Sequence, residues 1–203
     1  MFENLREDLA RKASFYNVSA ADSWHGGSPF WSRLRVLLEL GSVAVMVYRF
    51  GAWAARIRSP FIRKPLLALY FLLNCCVMLA SGISIQLDSK IGKGFVIHNF
   101  SCIFILAERI GNNVTVNQGV TIGRLRGRPR LPIIGNNVYF GSGAKALGDV
   151  TVGDNVVVGA NSVVLMSVPS DCTVLGIPAR IISRNVRSEY LKLVAQEQAE
   201  KTA

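Results

Sequence analysis

"NNVYFGSGAKALGDVTVGDNVVVGANSVV" (residues 136–164) returns to the same pattern every six residues. Phe140, Ala146, Val152, Val158 and Val164 share one phase. Working back toward the N-terminus, Ile134 joins them, and Ile122, Val116 and Ile110 follow two periods earlier. One extra residue intervenes near 107–109, and Ile103, Ile97 and Ile91 complete the series. Every one of these positions is apolar, and glycine often follows: Gly92, Gly111, Gly123, Gly135, Gly141, Gly153 and Gly159. No α-helix has period six, and an alternating strand has no need of glycine at that interval. A hexapeptide period is the signature of a parallel β-helix, in which three strand-and-turn units close a triangular coil of about 18 residues. The aliphatic residue points in, and the next sits at the corner, where glycine relieves backbone strain. Residues 83–169 supply roughly five such coils.

One of the two histidines lies inside this repeat. His98 follows Ile97, at the corner position where glycine is commonest, so its side chain points away from the core. One coil plus the inserted residue brings Asn117 to the same corner. If the insertion is a local bulge, the two stack about 5 Å apart on one edge. Taken alone, such a histidine is either a solvated surface group or a reactive one.

Composition narrows the partners. Half the chain is hydrophobic, 18% is charged, and the formal net charge is +10, which favours anionic partners. Cys75, Cys76, Cys102 and Cys172 show neither zinc-ligand spacing nor a disulfide framework, and read as reduced thiols of a cytoplasmic protein. Residues 1–20 are mixed in charge and lack the apolar core of a signal peptide. "GRLRGRPRLP" (123–132) interrupts the repeat without breaking its phase, so it should protrude as a loop carrying Arg124, Arg126, Arg128 and Arg130. Guanidinium groups suit phosphate and carboxylate. The loop is either a ligand-binding element or a solvated basic loop. Nucleic acid is not expected, because no reading helix or interleaved aromatic pattern accompanies the arginines.

Residues 31–58 and 65–82 read as helices separated by Pro60. Residues 31–64 are rich in arginine against Glu39 alone, and 65–87 carry no charge. That run is long enough to span a bilayer. The reading preferred here is helices lying on a membrane surface with arginines at the headgroups, because the run leads straight into the β-helix. Burial within an oligomer is the third option. The expected organisation is an N-terminal helical, membrane-associated region (1–82), a parallel β-helix (83–184) and a polar tail (185–203).

"KIGKGFVIH", "NNVTVNQGVTIG", the opening stretch and "VPSDCTVLGIPARII" together resemble the hexapeptide-repeat acyltransferases, over about residues 83–184. The resemblance is to serine acetyltransferases and to related polysaccharide acetyltransferases of the colanic-acid type. It implies a left-handed β-helix, a homotrimer, and acetyl transfer from acetyl-CoA to a hydroxyl, with no metal. His98 falls on the family's catalytic histidine. The chain departs from the serine enzymes at three places. Ile97 stands where they carry an aspartate, Leu131 follows Arg130 where a second histidine is usual, and Ser84 stands where an orienting aspartate is usual. These departures favour a sugar hydroxyl, on a surface polysaccharide or its lipid-linked precursor, over serine as acceptor. A serine O-acetyltransferase of cysteine biosynthesis is the alternative, and a non-catalytic membrane-bound scaffold a third. A zinc carbonic anhydrase on the same fold is excluded, since His25 and His98 are too few for its ligands.

The implied chemistry assigns His98 as general base, since imidazole titrates near neutrality. The acceptor oxygen then attacks the thioester directly. Asn117 is either an oxyanion donor or a plain turn residue. Asp88, Glu108 and a backbone carbonyl are the candidates for orienting His98. The resemblance places Gly123, Ser142 and Ala160 along the pantetheine track and Arg180, in "GIPAR" (176–180), near a CoA phosphate. "GIPAR" also reads as a cap on the last coil. Arg124, Arg126, Arg128 and Arg130 are assigned to CoA or acceptor binding. Because CoA is cytoplasmic, the protein is expected on the inner face of the cytoplasmic membrane.

Overall fold

The computed structural model describes residues 2–19, 38–99, 101–127 and 129–184. Helix α1 (Phe2–Ser19), α2 (Leu40–Ala54) and α3 (Pro60–Ser81) precede a parallel β-helix. Its first face stacks β1 (Ile83–Ile85), β4 (Ile103–Ile105), β7 (Thr121–Gly123), β10 (Lys145–Leu147) and β13 (Val163–Val164). The second stacks β2 (Lys90–Ile91), β5 (Arg109–Ile110), β8 (Ile133–Ile134) and β11 (Thr151–Val152), extended by a bridge to Val168. The third stacks β3 (Val96–Ile97), β6 (Thr115–Val116), β9 (Tyr139–Phe140), β12 (Val157–Val158) and β14 (Thr173–Leu175). Strand β15 (Arg180–Ser183) returns antiparallel on β14 and closes that edge. Five coils result, the last reaching Leu175.

All twelve in-phase aliphatic positions are buried. The phase itself needs one correction. Ile105, not Ile103, aligns with Ile85 and Ile122. Two extra residues therefore sit in the corner between Ile97 and Ile105, and one is missing between Ile105 and Ile110. The net shift of one was expected as a bulge at 107–109. The corner absorbs its surplus with left-handed backbone at Asn99 and Cys102, φ 58° and 52°.

The corner glycines also have a different cause from the one expected. Gly111 has no left-handed backbone, and a Cβ built there would lie 2.5 Å from the carbonyl oxygen of Gly135 one coil away. Close stacking of coils, not backbone strain, excludes the side chain. The positive-φ work falls instead on Asn113, Asn137, Asn155 and Asp171 at the next step of each coil. Their side chains form a ladder, each asparagine amide donating to the next residue's side-chain oxygen at 2.9–3.2 Å.

The helices differ from expectation as well. The first expected helix narrows to α2, its 31–37 portion lying outside the described residues. The second starts earlier, because Pro60 opens α3 in its first turn, where a missing N–H costs nothing. Gly82, left-handed at φ 66°, ends α3 and hands the chain to β1. Helix α1 was not anticipated. The 185–203 tail lies outside the described residues.

Candidate active site

Four polar side chains tie α1 and α2 to the first two coils. Asp8 and Arg49 form a buried ion pair at 2.9 Å, Asp8 accepts from the Phe95 N–H at 2.8 Å, and Arg49 donates to Ile91 O at 2.7 Å and to Gly92 O. Burial pushes the Asp8 carboxyl above its usual range, with Arg49 pulling back. Arg11 donates to Gly94 O at 2.5 Å and to Thr115 Oγ1 at 2.9 Å. Lys12, buried, donates to Ile97 O at 2.8 Å and pairs with Glu39 at 2.9 Å. Near Ile97, Gly41 of α2 brings its backbone so close that an added Cβ would meet Ile97 O at 2.9 Å.

These contacts surround His98, which leaves the end of β3 at the corner between the third and first faces. It is half-buried, and its N–H donates to Val116 O at 2.9 Å. The Phe15 ring of α1 stands edge-on to the imidazole, centroids 4.6 Å apart and planes at 86°. Burial, then the nearby Lys12 ammonium, pulls the His98 pKa below its ordinary 6.5, with Glu39 opposing. The imidazole is thus a neutral base at neutral pH. The Glu39 carboxylate, paired with Lys12, favours the protonated imidazole by its charge. Asp88 lines an open cleft of about 820 Å³ with Arg56, Lys90, Arg109 and Asp154, and His98 does not border that cleft. Ser84, in β1, accepts from Gln86 Nε2 at 2.9 Å.

Asn117 sits on the same corner, one coil on from His98, since Ile97 pairs with Val116. It is buried, and its amide donates to Phe140 O at 2.8 Å, which commits one N–H to the coil stack. Continuing the register through Val116–Phe140 and Phe140–Val158 places Ser142 and Ala160 on this edge too. Ser142 is half-buried and Ala160 exposed. With Gly141 and Gly159 beside them, the edge beyond His98 is a strip of small side chains on backbone. Arg180 is exposed at the start of β15, beyond the last coil.

Gly123 and the arginines lie elsewhere. Gly123 ends β7 at the opposite corner of the first face, pairing with Leu147. The loop after it carries exposed Arg124, Arg126 and Arg130, with Arg130 4.0 Å from Asp149. Arg128 lies outside the described residues. Within one chain, therefore, the arginine loop and His98 occupy different edges of the prism. "GIPAR" forms the cap: Ala179 N donates to Val163 O at 2.8 Å and Val163 N to Gly176 O at 3.0 Å.

Residues 132–165 match the model of the bacterial transferase hexapeptide family (six repeats). That stretch of the β-helix carries the hexapeptide repeat of bacterial transferases. Among curated relatives, a serine acetyltransferase of Synechococcus elongatus is 37% identical over 148 residues, covering 71% of this chain and 58% of that protein. A serine acetyltransferase of Brucella abortus, solved in complex with coenzyme A, superposes with TM-score 0.69 at 26% identity, over 90% of this chain and 68% of that one. One from Neisseria gonorrhoeae, solved in complex with serine, gives TM-score 0.65 at 25% identity, over 88% and 67%. The chain thus spans 58% of the length of the Synechococcus relative.

These relatives overturn the expected order of acceptors. Ile97, Leu131 and Ser84 argued for a sugar hydroxyl, yet the relatives are serine acetyltransferases. The inference failed because loss of particular side chains does not show what replaces them. Sequence reasoning also missed Phe15, Lys12 and the Lys12–Glu39 pair beside His98. Glu39 was noticed only as the lone acid among arginines, which was the available signal.

Proposed function

We propose that this chain is a serine O-acetyltransferase that takes the acetyl group from acetyl-CoA, the first committed step toward cysteine. The observation that carries the reading is a half-buried, neutral imidazole at the head of an edge lined by small residues, on a fold shared with serine acetyltransferases. His98 removes the proton of the serine hydroxyl, and the oxygen attacks the thioester carbonyl carbon. As the tetrahedral species collapses, the C–S bond breaks and the thiolate of CoA leaves, taking its proton from the imidazolium. The thiolate is a good leaving group, so no separate acid is required. The edge through Ser142 and Ala160 fits pantetheine, because small side chains let a chain-like ligand lie against the backbone.

The separation of His98 from the arginine loop supports a site shared between copies of the chain. A homotrimer would set the loop of one copy against the His98 edge of its neighbour. There Arg124, Arg126 and Arg130 would meet CoA phosphates or the serine carboxylate. Arg180, at the far end of the edge, is assigned to a CoA phosphate. Asn117 keeps one amide N–H beyond its bond to Phe140 for the oxyanion. The site is placed in the cytoplasm, where acetyl-CoA is available.

The test is mass spectrometry of the product formed from acetyl-CoA and L-serine. O-acetylserine, formed in step with free CoA, supports the reading. Thioester hydrolysis without an acetylated amino acid contradicts it.

A further inference from the structure

Helix α3 is patterned opposite to a surface helix. Its packed stripe is Tyr70, Val77 and Ser81, set against α2 and β1. The opposite face carries Phe61, Leu69, Leu72, Cys76 and Leu79, all exposed, with Phe61 89% and Leu79 84% accessible. A surface helix normally turns charge outward, and isolated soluble chains seldom expose contiguous apolar patches beyond a few hundred Å². Residues 40–87 contain no acidic side chain. Arg56, Arg58, Arg63 and Lys64 cluster at the start of α3, all exposed and none in an ion pair among the described residues. Cations at a helix N-terminus oppose the helix dipole, so this placement does not serve the helix.

We propose that the outer face of α3 docks on an anionic lipid bilayer, lying in the boundary between headgroups and acyl chains. Arg56, Arg58, Arg63 and Lys64 hold lipid phosphates, and Phe61, Leu72 and Leu79 enter the acyl region. The helix lies on the bilayer and does not cross it. Its inner stripe is packed, Tyr70 lies against Gly51 so tightly that any Cβ there would collide with the ring, and Gly82 leads directly into β1. A second copy is a poorer occupant: a two-fold contact would set the same four cations against each other, and a neighbour in the proposed trimer would have to bring acidic side chains to meet them.

The test is co-sedimentation of the full chain with vesicles of phosphatidylcholine, alone or mixed with phosphatidylglycerol. The mixed vesicles should bind at least about tenfold more protein, and salt should weaken the binding. Leu72→Glu/Leu79→Glu should reduce binding to background. Arg63→Gln/Lys64→Gln, which spares the apolar face, should lower anionic binding roughly thirtyfold. Both variants should keep the wild-type solution mass and serine turnover. Absence of vesicle binding by the wild type overturns the proposal, as does binding unchanged in the Arg63/Lys64 variant. A Leu72/Leu79 variant that dissociates the oligomer, beside a wild type that ignores vesicles, assigns the face to a second copy instead.

Discussion

Asp8→Ala removes one side chain of the buried pair that pins α1, and its consequences should reach His98. Asp8 and Arg49 are both almost fully buried, at 2.9 Å. Removing the carboxylate strands the guanidinium with only the Ile91 and Gly92 carbonyls, and leaves the buried Phe95 N–H without its acceptor. Breaking a buried pair in this way costs about 3–5 kcal/mol. The loss is capped by the docking energy of α1: beyond it, the helix detaches and Arg49 hydrates. Urea unfolding at fixed protomer concentration reads the first quantity, and trypsin cleavage at Arg6, Arg11 or Lys12 reads the second. Arg49→Leu combined with Asp8→Ala should cost about 1–3 kcal/mol less than the two single changes added together. If α1 detaches, His98 loses Phe15 and its pKa rises toward 6.5. An Asp8→Ala protein within about 0.5 kcal/mol of wild type, with α1 still protected from trypsin, would refute this reasoning.

Lys12→Met removes a cation that lowers the His98 pKa while Glu39 remains, so the pKa should rise. With His98 as the proposed base, activity requires the neutral imidazole, so wild-type kcat/KM should fall with acid through a pKa below 6.5, and the limb should move to higher pH in the variant. A limb that stays in place would remove Lys12 from the electrostatics of the site. Gly111→Ala places a methyl 2.5 Å from the Gly135 carbonyl oxygen, backbone that cannot step aside. Thermal unfolding should show a loss of about 1–3 kcal/mol.

The β-helix was legible because its signal is periodic and steric. An inward aliphatic residue and a corner too tight for a Cβ recur at fixed spacing, and residues such as Val152 and Gly153 need no tertiary context to be recognised. The phase error at Ile103 has an equally plain cause. Ile103 and Ile105 are both apolar and both buried, so spacing alone cannot choose between them. His98 was visible as an exception at a glycine position. Its surroundings were not. Helix α1 docks through Asp8, Arg11 and Lys12, whose partners include the carbonyls of Gly94 and Ile97. In sequence these read as solvated charges, because backbone acceptors at a coil corner leave no residue-type signature. The acceptor was misjudged for a related reason. Three missing side chains were visible in sequence, but they show what the chain lacks and not which hydroxyl it takes, and the serine acetyltransferase relatives supplied the correction.

The role proposed for His98 is that of the base in acetyl transfer to serine. The most direct measurement is CoA thiol release from acetyl-CoA with L-serine, comparing wild type with His98→Asn at equal folded concentration. The wild type should release thiol only when serine is present, and the variant should lose about 10²–10⁴-fold in kcat with little change in KM for acetyl-CoA. Equal rates for the two proteins, or release that does not depend on serine, would contradict it.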